Sequence, residues 1–208
     1  TERAYNRSAR TATAAVRATE QSRRLYNVVM ELRSKGVISR SDGTYHSISD
    51  FDESWAQLLW YQYWPTDYAP TNFVISAHTE WESASKVADW YASGCGFVFR
   101  EKDEKNHYLI YLALDGNVYL KAYAAGEFYE LGKGYYGQVD SMKGQADVLL
   151  AVDGPRITYF VNGKQVFQQE NTQLSSGGLY LTLVSGTNEG FGTRCQMTEI
   201  ELWALGDQ

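Results

Sequence analysis

Proline is nearly missing from this chain, with three in 208 residues, so its turns must be built from eighteen glycines and from Asn and Asp. Cysteine is scarcer still: only Cys95 and Cys195 occur, and there is no C-x-x-C. The three histidines, His46, His78 and His107, lie in separate segments, so the ligand spacing of a structural zinc site is lacking. No run of 18 apolar residues exists, and with it goes any membrane-spanning helix in this sequence. No repeat of fixed length is visible either, which argues against a propeller. What is abundant is aromatic: sixteen Tyr, eight Phe and six Trp, the composition of a folded β-rich protein.

The net charge of −6 conceals an asymmetry. Residues 1–40 hold nine Lys/Arg against three Asp/Glu, and residues 41–208 hold ten against twenty-two. A basic arm therefore precedes an acidic body. The arm could meet an anionic membrane surface or stand as a solvated helix; the acidic body speaks against nucleic acid, whose phosphates need a basic face. The chain begins at Thr1 without Met, which is compatible with an export signal or membrane-proximal anchor upstream.

From Glu2 to about Lys35 there is neither Pro nor Gly. Leu25, Val28, Val29 and Leu32 fall at i, i+3, i+4 and i+7, which predicts a helix over 19–35 stopped at Gly36, with a thinner-faced extension upstream. Residues 1–36 are thus read as a helical arm and 37–208 as one domain. Beyond Gly36 the period becomes two. Phe73, Ile75, Ala77, Thr79 and Trp81 alternate with polar residues, as in a half-buried strand. Further strands are expected at 55–63, 95–100, 107–114, 117–123, 127–131, 146–152, 156–161, 164–169, 178–185 and 195–203. Asp115-Gly116, Asp153-Gly154-Pro155, Asn162-Gly163 and Gly177-Gly178 separate them, and Asn162-Gly163 is a hairpin signal. Short strands at this spacing predict an all-β antiparallel sandwich.

Several segments together resemble the concanavalin A-like lectin/glucanase superfamily, in particular laminin-G-like domains and bacterial family 16 glycoside hydrolase-like domains of unknown function. They are Gly94-Cys-Gly-Phe-Val-Phe-Arg100 with Asp103, Asn106 and Tyr108; Tyr111-Leu-Ala-Leu-Asp-Gly-Asn-Val-Tyr-Leu120; Arg156 to Val166 with Asn162-Gly163; and the closing Met197 to Trp203. The resemblance covers about residues 40–205. It implies a jelly-roll of two curved antiparallel sheets, with sugars bound on the concave sheet or its rim loops. The E-x-D-x-(x)-E strand that family 16 glucanases use for catalysis is missing: Glu101-Lys-Asp103-Glu104 is followed by Lys105 and Asn106.

Candidate residues follow. Arg100 and Asp103, beside Asn106, could grip a sugar at a turn or merely hold that turn. Around Asp115-Gly116, a three-residue loop would pair Leu114 with Val118, Leu112 with Leu120 and Ile110 with Ala122. The opposite face would then carry Tyr111, Tyr119, Lys121 and Tyr123, rings able to stack on sugars. Trp55, Trp60, Tyr61, Tyr63, Trp64 and Tyr68 crowd one stretch, and alternation splits them between two faces; one set either packs beneath the arm, the favoured reading, or forms a binding platform. Glu82 and Asp89, in the long excursion after Trp81, are a conceivable calcium pair, although calcium needs six to eight oxygens. Cys95 and Cys195 are expected to form a disulfide, which suits an extracellular or cell-surface protein. The reading is a non-catalytic extracellular module for carbohydrate, needing no cofactor. Its rivals are a hydrolase of an unusual sugar and a sensor or structural ectodomain with a protein partner.

Overall fold

The computed structural model describes residues 19–137 and 142–206. The stripe read from the sequence forms helix α1, residues 19–34. Gly36 ends it with φ +69°, and two backbone bonds close a Schellman cap: Gly36 N–H to Arg33 O at 3.0 Å and Val37 N–H to Leu32 O at 2.9 Å. The thinner extension expected upstream lies outside the described residues.

Thirteen strands follow: β1 (Gly43–Ser47), β2 (Phe51–Trp55), β3 (Trp60–Tyr68), β4 (Phe73–Ser83), β5 (Gly94–Asp103), β6 (Asn106–Ala113), β7 (Asn117–Ala124), β8 (Glu127–Tyr135), β9 (Lys143–Asp153), β10 (Arg156–Val161), β11 (Lys164–Glu170), β12 (Gly178–Ser185) and β13 (Thr193–Leu205). They make two antiparallel sheets. The seven-stranded sheet runs β1-β13-β4-β9-β10-β11, with β2 also on β13; the six-stranded sheet runs β3-β12-β5-β6-β7-β8. The long β13 serves both β1 and β2 because it bulges between Thr198 and Glu201, where Glu199 takes φ +50°.

Alternation builds three apolar layers. Phe73, Ile75, Phe97, Phe99, Ile110, Leu112, Leu120, Leu150, Tyr159 and Leu202 fill the space between the sheets. Cys95 on β5 and Cys195 on β13 are bonded across that space, with Cα atoms 5.6 Å apart. Leu25, Val29 and Leu32 press on Val74, Ala151 and Leu205, so the arm docks on the outer face of the seven-stranded sheet. Its tail is pinned by Arg156, whose Nη1 donates to Gly36 O at 2.7 Å, and by Asp153, which accepts from Ser39 N–H at 2.6 Å. The third layer lies on the outer face of the six-stranded sheet: Tyr61, Ala92, Val98, Leu109, Tyr111, Ala113, Tyr119 and Val184.

Three expectations change here. The stretch 55–63 is not one strand: it breaks between β2 and β3, which lie in different sheets, and Leu59 at the break sits at φ +59°. The aromatic run is not beneath the arm, which instead covers Trp203, Tyr45 and Phe160; Tyr61 and Tyr63 face out of the other sheet, while Trp64 and Tyr68 point inward. The β6–β7 register is shifted, with Leu112 opposite Val118 and Ile110 opposite Leu120. The shift is by two residues, so the division of side chains between faces survives it.

Candidate functional site

The outer face of the six-stranded sheet is where the aromatic surplus collects. Central rows cross it strand by strand. Tyr63 on β3 faces Thr182 on β12, which faces Gly96 on β5; Gly96 faces Tyr111 on β6, and Tyr111 faces Tyr119 on β7. The next row runs Tyr180, Val98, Leu109, Lys121 and Glu130. Glycine on β5 makes room for the tyrosine on β6: a Cβ on Gly94 would stand 2.8 Å from the Tyr111 ring, and one on Gly96 would stand 2.6 Å from the Tyr111 Cα.

This face is curled into a trough. Its edge strands, β3 and β8, would stand about 24 Å apart in a flat sheet of six strands. Yet the Phe128 ring of β8 lies 5.6 Å from the Tyr61 ring and 5.9 Å from the Trp60 ring of β3. Side chains alone cannot span that distance, so the sheet must bend toward its outer side. Phe128 also stacks on Tyr123 at 4.4 Å and 12°. Tyr63 meets Tyr180 edge-on at 5.0 Å.

Polar groups are placed among the rings. The Tyr61 hydroxyl and His107 Nε2 are hydrogen-bonded at 2.6 Å, with His107 fully buried. Burial pushes the His107 pKa down, partly offset by the Asp103 backbone carbonyl and carboxylate, so the ring is neutral at pH 7. Tyr180 donates to Glu101 at 2.8 Å. Lys121 Nζ lies over Tyr111 and Tyr119, 5.6 and 5.9 Å from their centroids. Its pKa is lowered by burial, and Glu130 opposite it on β8 works against that shift.

Of the residues picked from the sequence, Tyr111, Tyr119, Lys121 and Tyr123 do share this face, but not as an open platform. Tyr111 is wholly buried, because the excursion between β4 and β5 folds over it: Ala92 packs on it, and its hydroxyl donates to Tyr91 O at 3.1 Å. Tyr119 is 7% exposed and donates to Asp115 at 2.5 Å, so it braces the β6–β7 turn. Lys121 and Tyr123 are half-buried. The accessible rings clustered here include Tyr123 with Trp60, Tyr63, Phe128 and Tyr180; Trp60 and Tyr63 come from the run that the sequence offered as a platform, whereas Phe128 and Tyr180 are brought in by the fold.

Arg100 and Asp103 belong elsewhere. Arg100 is 2% exposed and donates to three backbone carbonyls: Leu174 at 3.0 Å, Thr71 at 3.2 Å and Gly154 at 2.5 Å. It is a clamp on three loops, set by a bulge in β5 where its φ is +52°. Asp103 closes the β5–β6 turn through Lys105 N–H and the Asn106 amide, each at 2.8 Å. Glu82 pairs with Lys143 at 2.6 Å, and Asp89 precedes the short Trp90–Ala92 turn. Among the described residues no group of three or more His, Cys, Asp or Glu is placed to hold a metal ion.

No family model matches the sequence, and no curated protein does. Solved structures do resemble the fold. The carbohydrate binding module CBM66 from Bacillus subtilis aligns with a TM-score of 0.55 and 12% identity, over 77% of this chain and 96% of its own. A fructosyltransferase from A. japonicus aligns at 0.54 and 14% identity, and an Aspergillus kawachii β-fructofuranosidase complexed with glycerol at 0.52 and 13%. This chain spans 28% of the length of each of those two enzymes. At such identities the likeness is one of fold: a lectin-like β-sandwich.

Proposed function

We propose that this chain is a non-catalytic carbohydrate-binding module, within the concanavalin A-like resemblance, and that it takes its ligand in the aromatic trough. One observation carries the reading. Trp60, Tyr63, Tyr123, Phe128 and Tyr180 keep accessible ring surface on one face, set among the buried rings of Tyr61, Tyr111 and Tyr119. Rings held by neighbouring rings offer a stiff apolar plane for the C–H face of a pyranose or furanose. The hydroxyls of Tyr63 and Tyr180, with Glu101, offer polar partners for its edge. The likeness to a module that by its name binds carbohydrate, over nearly that module's whole length, supports the same reading. So does the inter-sheet disulfide, which fits an exported protein.

The seat uses ring faces and hydroxyls, so binding should be indifferent to calcium. A glycan array probed with the purified domain, with and without chelator, tests both statements. The expected result is a restricted set of glycans, unchanged by chelator, that alters the tryptophan fluorescence on titration in the parent but not in Trp60→Phe. An empty array would sink the proposal in favour of a protein partner, and loss of binding in chelator would move the seat away from the trough.

A further inference from the structure

Resting on that reading, we infer that the trough selects neutral glycans and rejects anionic ones such as uronate- or sulfate-bearing chains. The charges around it decide this. Glu101 on β5 lies against Tyr180, and Glu130 on β8 stands opposite Lys121. Asp115 holds the Tyr119 hydroxyl at the β6–β7 turn. Asp103 and Glu104, on the β5–β6 turn, join Glu101 in acting on the Tyr63 hydroxyl, which they push up together with burial.

Cations offset this ring only in part. Lys121 lies inside the trough, committed to the Tyr111 and Tyr119 rings and facing Glu130. Lys102, Lys105 and Lys133, on the same turn or the edge strand, are exposed, as are Asp103, Glu104 and Glu130, so salt screens both signs there alike; the part-buried charges are Glu101 and Asp115 against Lys121. Arg100 is buried on backbone carbonyls and His107 is neutral, so neither meets an anion. An anionic group seated between Tyr63 and Tyr123 would lose its hydration where the part-buried carboxylates of Glu101 and Asp115 outnumber the single ammonium of Lys121. Specificity would thus come from a built-in repulsion as much as from stacking.

The test pairs probes that differ only in charge: levan, laminarin and galactan, each beside its carboxymethylated form, in affinity electrophoresis at low and high salt. The expectation is that every neutral polysaccharide bound by the parent is bound about tenfold more weakly once carboxymethylated, with the gap narrowing in salt. The double variant Glu101→Gln/Glu130→Gln should close most of the gap at low salt, the gap being read as the ratio of neutral to carboxymethylated affinity within each protein. Equal binding of both forms by the parent would overturn the charge selection and leave the carbohydrate reading standing. A gap that the double variant leaves untouched would overturn the assignment to these carboxylates. Binding to no member of any pair would remove the carbohydrate reading itself.

Discussion

The hydroxyl of Tyr61 on edge strand β3 meets Nε2 of His107, three strands away on β6, at 2.6 Å. This bond ties the rim of the trough to its floor, and it exists only because the sheet curls. The histidine beneath is held neutral by burial, and that has a consequence for pH.

The pKa values of His107 and His78 should be shifted in opposite directions. His107 has a folded pKa below the ordinary value of 6.5, because burial disfavours its charged form. Its contribution to stability is therefore complete above the unfolded value and is lost as pH falls through 6.5 and below. His78 on β4 is the reverse. Asp147 at 2.7 Å raises its pKa, so its contribution is complete below 6.5 and lost as pH rises through the folded value. Being half-exposed, the His78 pair is worth only a few tenths of a kcal/mol. Carbon-detected NMR titration of the two rings should place His78 above 6.5 and His107 below it. Both rings near 6.5 would contradict the buried setting of His107.

Arg100→Ala should destabilise the domain by about 2–4 kcal/mol, since three buried carbonyls lose their donor at once. Urea unfolding of parent and variant measures it. A change under about 0.5 kcal/mol would mean that the Leu174, Thr71 and Gly154 loops do not depend on the clamp.

Replacing Cys95 and Cys195 by Ala should cost roughly 3–5 kcal/mol in the chain-entropy account, the bond closing a separation of 100 residues. Thiol titration of the unfolded parent should find none free, and two would contradict the bond.

On the arm, Val29→Ala should cost about 1–3 kcal/mol and Leu25→Ala about 2–4 kcal/mol, because both side chains are buried against the outer sheet face. Val28→Ala, at the edge of that contact, should cost less than either. Equal, negligible effects of all three would mean that the helix is undocked in solution.

Much of this architecture was legible because its signals are local. The 3.6-residue stripe with Gly36, the period-two alternation of β4 and the Asn162-Gly163 turn each appear within one element. The face parity of Ile110, Leu112, Leu120 and Ala122 was legible even with the register misplaced by two, since parity needs only alternation. What escaped was non-local. Strands β1 and β2 are five residues each and gain their place from β13, about 150 residues away in the chain. Leu59 breaks the 55–63 run at a positive φ that no apolar residue announces. Tyr111 looked like a displayed ring because nothing near it in sequence shows that the excursion carrying Ala92 folds over it. Arg100 reads from the sequence as a sugar grip or a brace for its turn, and its three carbonyl partners, from three distant loops, leave no local signal. The Gly94 and Gly96 pair was the one cue to the buried Tyr111, as small residues in a strand mark a close neighbour.

The central claim is that the trough is the ligand seat, and its accessible rings test it most directly. The measurement is a calorimetric titration, with a glycan that the parent binds, of Tyr63→Ala/Tyr123→Ala beside the surface control Tyr26→Ala, after dichroism shows all three folded. Loss of two stacking contacts predicts affinity at least tenfold weaker for the double variant and unchanged for the control. Equal affinity in the parent and the double variant would contradict the account.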